Sequence, residues 1–197
     1  MWAKPLDTRR KATAAELEIF CAAADDPFWD FGDFLLWGNP RFARLKWRSL
    51  SDRAIKRLPV VQRVVLVMHI VDGEINNGGI EQLFFNHVYD MEIIAHDVDA
   101  FGWEEFTTRF RRQYDAVFGS KKRDFIENLN RRFQAAVARG GDHNEAWVEF
   151  RKVYAEVPGD ELNDWYHEEP TKRQFNVAML QFIRDHEPEL IALAADD

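Results

Sequence analysis

PVVQRVVLVMHIVDGEINNGGIEQLFFN, Pro59–Asn86, decides the fold. From Val60 to Val71 only Gln62, Arg63 and His69 interrupt the apolar run, so this segment belongs at the centre of a core. Its valines also suit a buried strand, and periodicity alone does not separate the two. No other stretch offers a strand partner, which selects helix. Pro59 fits a first helical turn, where a missing N–H costs little, and His69 reads as a core histidine with satisfied hydrogen bonds. The tetrad Asn76, Asn77, Gly78 and Gly79 then separates two apolar segments. Such residues accept positive φ, where other side chains cost roughly 1 to 2 kcal/mol each. A corner joining two buried helices is expected.

Around this corner, Gly78 and Gly79 serve backbone geometry, and Asn76 or Asn77 is expected to cap the following helix. Glu74, Gln82 and Asn86 are polar groups among apolar neighbours and need hydrogen-bond partners. A buried network bracing the corner meets that need. The alternative is an enzyme or small-ligand site centred on Glu74, Asn76, Gln82 and Asn86.

Working outward, Ile80, Leu83, Phe84 and His87 share a stripe, and Met91, Ile93, Ile94 and Val98 continue to a break at Gly102. Trp103, Phe106, Phe110, Tyr114 and Val117 step by three or four residues to Gly119. Phe125, Leu129, Phe133 and Val137 do so up to Gly140 and Gly141. Asp142 caps a helix using Ala146, Trp147, Phe150, Val153, Tyr154 and Val157. A further helix from about Thr171 uses Phe175, Ala178, Met179, Phe182 and Ile183. The chain therefore predicts an all-α fold, one compact multi-helix domain with a central buried helix and an Asn/Gly corner. Residues 41–197 form the core domain, and 1–40 an N-terminal helical extension.

In that extension Thr13 and Glu16 make a capping box, and Phe28, Trp29, Phe31, Phe34 and Trp37 form an aromatic surface that must be covered. Arg41, Arg44, Lys46, Arg48, Arg53, Lys56 and Arg57 follow as a basic amphipathic face. A solvated helix surface is the simpler account; an anion site or a patch for the protein's own acids is the sharper one.

The 197 residues, 46% apolar and 14% aromatic, suffice for one filled domain. A net charge of −8 argues against direct nucleic-acid or anionic-membrane binding and makes basic proteins the natural complement. Cys21 stands alone, which fits a reducing compartment, and no segment reads as a leader or membrane span. A cytoplasmic protein is expected. No His-Glu-x-x-His, P-loop or nucleophile elbow occurs, and the Glu-x-x-His pairs of di-iron bundles are missing, since Glu92 and His96 lie four apart. No catalytic residue, metal or cofactor is expected.

The charge is uneven. Between Arg63 and Arg109 there is no Lys or Arg, while Asp72, Glu74, Glu81, Asp90, Glu92, Asp97, Asp99, Glu104 and Glu105 all fall there. A second acidic region runs from Asp142 to Glu169. Within it Asp142, Glu145, Glu149 and Glu156 fall on one helical line roughly 20 Å long. Duplex DNA carries about one charge per 1.7 Å of axis, so one line is too sparse to imitate a duplex; two acidic regions side by side come closer.

EINNGGIEQLFFN, Glu74–Asn86, resembles the signature of the bacterial DNA-mimic protein family. The resemblance implies an acidic, helical homodimer whose carboxylates imitate DNA phosphates and occupy the DNA-binding face of a basic partner such as a transcription factor, with no catalysis and no cofactor. Carried onto this chain, the candidate partner-binding residues are Asp90, Glu92, Asp97, Asp99, Glu104, Asp142, Glu145, Glu149, Glu156, Asp160 and Asp164. The structural motif is Glu74, Asn76, Asn77, Gly78, Gly79, Gln82 and Asn86. An immunity or adaptor protein using the aromatic N-terminal surface is a further alternative.

Overall fold

The computed structural model describes residues 50, 53–56, 58–119, 122–140, 144, 147–148, 151–152, 161–186 and 189. The described part is all-α. Its helices are α1 (Arg53–Lys56), α2 (Val60–Asn86), α3 (Met91–Phe101), α4 (Glu104–Phe118), α5 (Lys122–Ala138), α6 (Glu161–Tyr166) and α7 (Glu169–Asp185). Among the described residues there is no strand, and no helix is long and apolar enough to cross a membrane. The boundary expected at residue 40, the aromatic extension before it and most of the basic face lie outside the described residues.

The valine-rich run is helical. Val61, Val64, Val65, Leu66, Val67, Met68 and Val71 are buried, and Gln62 and His69 are buried with them. The absence of a polar face follows from the composition, because a helix apolar all round has no side to offer water.

The described residues fall into two compact units, one made of those up to Ile70 and those from Glu169 onward, the other of those between Val71 and Glu168. In the first, α7 buries Thr171, Phe175, Met179, Phe182 and Ile183, as its three-and-four spacing predicts. Its end is finished by His186, whose Nδ1 lies 2.9 Å from the Phe182 carbonyl.

In the second unit α4 packs against α3, α5 and α6. Phe106, Phe110, Gln113 and Val117 form its buried stripe. Phe84 meets Phe110 and Phe118 edge-on at ring separations of 6.1 and 5.2 Å, and Phe85 meets Phe133 and Trp147 at 5.1 and 5.2 Å. Such edge-to-face contacts add about 0.5 to 1.5 kcal/mol each beyond the area they bury. Among the described side chains of α5, Ile126, Leu129 and Asn130 are buried and Val137 is 46% exposed, while the side chain of Phe125 lies outside the described ones. The expected stripe had included Val137; the helix has passed the core by then. Asn130 Nδ2 donates to the Phe85 carbonyl at 2.6 Å and Tyr89 Oη to that of Glu127 at 3.1 Å, pinning α5 to the end of α2.

Helix ends fall where glycine permits them. Gly102 closes α3 at φ 76° and Gly140 follows α5 at φ 67°, both left-handed. The short helix α6 has no counterpart in the sequence reading, because six residues are too few to show a period.

Candidate functional site

The corner is present within α2 as a break at Gly78 (φ −161°, ψ 18°) and Gly79 (φ 80°, ψ 177°). Only Gly79 takes the positive φ expected of the tetrad, and Asn76 and Asn77 stay helical. At Gly78 the added Cβ of any other residue would displace the end of the Gln82 side chain and with it the bond to Glu74.

The cap on the second helical segment comes from elsewhere. Asn163 Oδ1, on α6, accepts the Ile80 amide at 2.7 Å. This corrects the expectation that Asn76 or Asn77 would do so: Asn76 Nδ2 instead donates to Asp72 Oδ1 at 2.8 Å. Asp72 also receives the Tyr166 hydroxyl at 2.6 Å, with Tyr166 fully buried. Thus α6 is fastened to the corner at both Asn163 and Tyr166.

Glu74 is the centre of a second set of bonds. Its Oε2 accepts Gln82 Nε2 at 2.6 Å and Asn86 Nδ2 at 3.0 Å, and Oε1 lies 3.1 Å from His87 Nε2. Glu74 precedes the break and its three partners follow it, so one carboxylate ties the two helical segments together. Burial pushes this carboxyl upward, but hydrogen bonds from His87, Gln82 and Asn86 and the attraction of His87 outweigh it, and the pKa falls below its ordinary 4.5.

A pH dependence follows. In the folded chain Glu74 holds its proton less tightly than in the unfolded chain, so its stabilisation is complete above about pH 4.5 and is lost as pH falls through the lower folded value. In urea unfolding, wild type should lose stability across that acid range. Glu74→Gln should be weaker at neutral pH by about 2 kcal/mol, the scale of a hydrogen-bonded charge, and should show a flatter acid limb. Parallel acid limbs would refute this role.

The acidic residues separate by burial. Asp90 and Asp97 are 4% and 0% exposed, which removes both from the candidate partner-binding set: Asp90 lies at the start of α3, and Asp97 Oδ1 is 2.8 Å from His96 Nδ1. Asp99 is exposed but gripped by Arg111, which donates to both of its carboxylate oxygens. Those hydrogen bonds lower the Asp99 pKa against a smaller effect of burial. Glu92, Glu104 and Asp164 are exposed. Asp142, Glu145, Glu149, Glu156 and Asp160 lie outside the described residues, although Asn144, Trp147, Val148, Arg151 and Lys152 among them are helical.

Two carboxylates outside the candidate partner-binding set belong with Glu104. Glu105 and Glu161 line the same groove, a space of about 730 Å³ between α4 and α6 whose walls also include Trp103, Arg109, Arg112 and Leu162. Arg109 bridges to Glu105 at 3.1 Å and Arg112 to Glu161 at 2.9 Å. Arg109 also lies over the Trp165 ring, 4.6 Å from its centre. The Glu105–Arg109 pair was legible as an i,i+4 spacing; the Arg112–Glu161 pair depends on where α6 docks.

Residues 56–186 match the family model described as DMP19-like protein. No curated protein and no solved structure matches the chain.

Proposed function

We propose, from the premise that this chain belongs to the DMP19-like protein family, that it is a non-enzymatic acidic binding protein that mimics DNA and occupies the DNA-binding surface of a basic protein such as a transcription factor. The observation that carries the reading is the convergence of Glu104, Glu105 and Glu161 on one groove, with Asp164 one helical turn from Glu161 on α6. The buried Asp90 and Asp97 take no part. A cytoplasmic homodimer belongs to the same reading.

The ion pairs with Arg109 and Arg112 do not oppose it strongly. Exposed pairs contribute about 0 to 1 kcal/mol each, so a partner's cations exchange for them at little cost. The enzymatic alternative loses support from Glu74, whose carboxylate is engaged by Gln82, Asn86 and His87.

Competition tests the proposal. Purified basic transcription factors, each loaded on its labelled duplex, are titrated with the full chain. Displacement of duplex from at least one of them is expected, weakening steeply between about 50 mM and about 500 mM salt. Reversal of Glu104, Glu145, Glu149 and Glu156 to lysine should abolish displacement while leaving thermal unfolding nearly unchanged. Binding that is indifferent to salt, or that leaves the duplex in place, would count against mimicry.

A further inference from the structure

We infer that the groove between α4 and α6 is a socket for an arginine side chain of the basic partner. The inference rests on the binding reading above and narrows it to one contact.

The groove, about 730 Å³ and open to solvent, is within the size range of ligand clefts and readily admits an arginine side chain. Leu162 and Gln113, both buried, lie at its inner side, while Glu104, Glu105, Glu161, Thr108 and Arg112 reach solvent. Three carboxylates face two guanidinium groups, leaving a surplus of one negative charge. Glu105 and Glu161 are each shared with an arginine of this chain. Glu104 is exposed, at the first turn of α4. An incoming anion would meet that surplus; an incoming cation would complete it.

The aromatic wall selects the kind of cation. Trp103 is half-buried, stacked on Phe106 with a ring separation of 5.8 Å and tilted against Trp165 at 5.4 Å. It is therefore held in place before any partner arrives. A guanidinium is planar, weakly hydrated and able to lie on an aromatic face while its fork engages a carboxylate, which an ammonium does less well. The protein already makes this contact internally, with Arg109 over Trp165.

The motif supports the socket from behind. Glu161 and Leu162 are on α6, and the next residue, Asn163, is the one that caps Ile80. Fixing the corner therefore fixes one wall of the groove.

Calorimetric titration of the full chain with octa-arginine at low salt tests the inference. Glu104→Gln with Glu161→Gln should weaken binding by about tenfold or more, the scale of an anchoring contact. Asp124→Asn with Asp185→Asn removes the same charge at other exposed carboxylates and should change it less than about twofold. Trp103→Phe should reduce the preference for octa-arginine over octa-lysine. Equal weakening by the two double variants would show diffuse attraction and overturn the socket, as would failure of octa-arginine to bind. The two readings fail separately: duplex displacement retained by Glu104→Gln with Glu161→Gln removes the socket alone, whereas a groove that binds octa-arginine in a chain unable to displace duplex removes mimicry alone.

Discussion

Gly79→Val should lower the unfolding free energy by about 3 kcal/mol. Two costs add. At φ 80° and ψ 177° the backbone occupies a region nearly closed to side-chain-bearing residues, worth about 1 to 3 kcal/mol. A Cβ there also collides with the Asn163 side chain, which must move and release the Ile80 amide; losing such a cap costs about 0.5 to 2 kcal/mol. Gly102→Ala is the control, because Gly102 also has a positive φ, 76°, but nothing lies within 4 Å of its added Cβ. That variant should lose only about 1 to 2 kcal/mol. Denaturant unfolding of both checks the order of the two losses, and a loss for Gly79→Val no larger than that for Gly102→Ala would show that Asn163 contributes nothing to the corner.

The second large effect is expected at Tyr166. Its ring is fully buried beside Phe106, with centroids 5.9 Å apart, and its hydroxyl donates to Asp72 Oδ1 at 2.6 Å. Tyr166→Phe keeps the ring and removes the hydroxyl. Leaving a buried acceptor without its donor costs about 1 to 3 kcal/mol, so a loss of about 2 kcal/mol is expected. The loss should shrink when Asp72 is also replaced by alanine, which leaves the hydroxyl no carboxylate to bond. A loss below about 0.5 kcal/mol would mean the bond is not a fastening of α6.

Much of the architecture was legible because it is written in short-range patterns. The stripe from Phe106 through Phe110 to Val117 announces α4, and Gly102 marks the end of α3. The corner was visible in four consecutive residues. The identity of its cap was not, since Asn163 reaches Ile80 through tertiary packing, and a local asparagine is the obvious choice when only neighbours are in view. Acidic residues were harder to place. A run free of lysine and arginine reads as one negative surface, yet Asp72 and Asp97 are buried in hydrogen bonds and Asp99 is met by Arg111 from the next helix. Charge along the chain does not reveal which carboxylates face water. Glu161 illustrates the converse: nothing in its neighbourhood in the sequence indicates that it faces Glu104 across a groove.

The bond between Ile80 and Asn163 spans 83 residues, and this separation orders events during translation. At roughly 5 to 20 residues per second, the ribosome needs on the order of 4 to 17 seconds to pass from one residue to the other. The helix before Gly78 is available early, while the turn after it waits for the late arrival of α6. A chain truncated before residue 163 lacks that bond and is expected to be cut around Gly78 faster than the full chain in limited proteolysis.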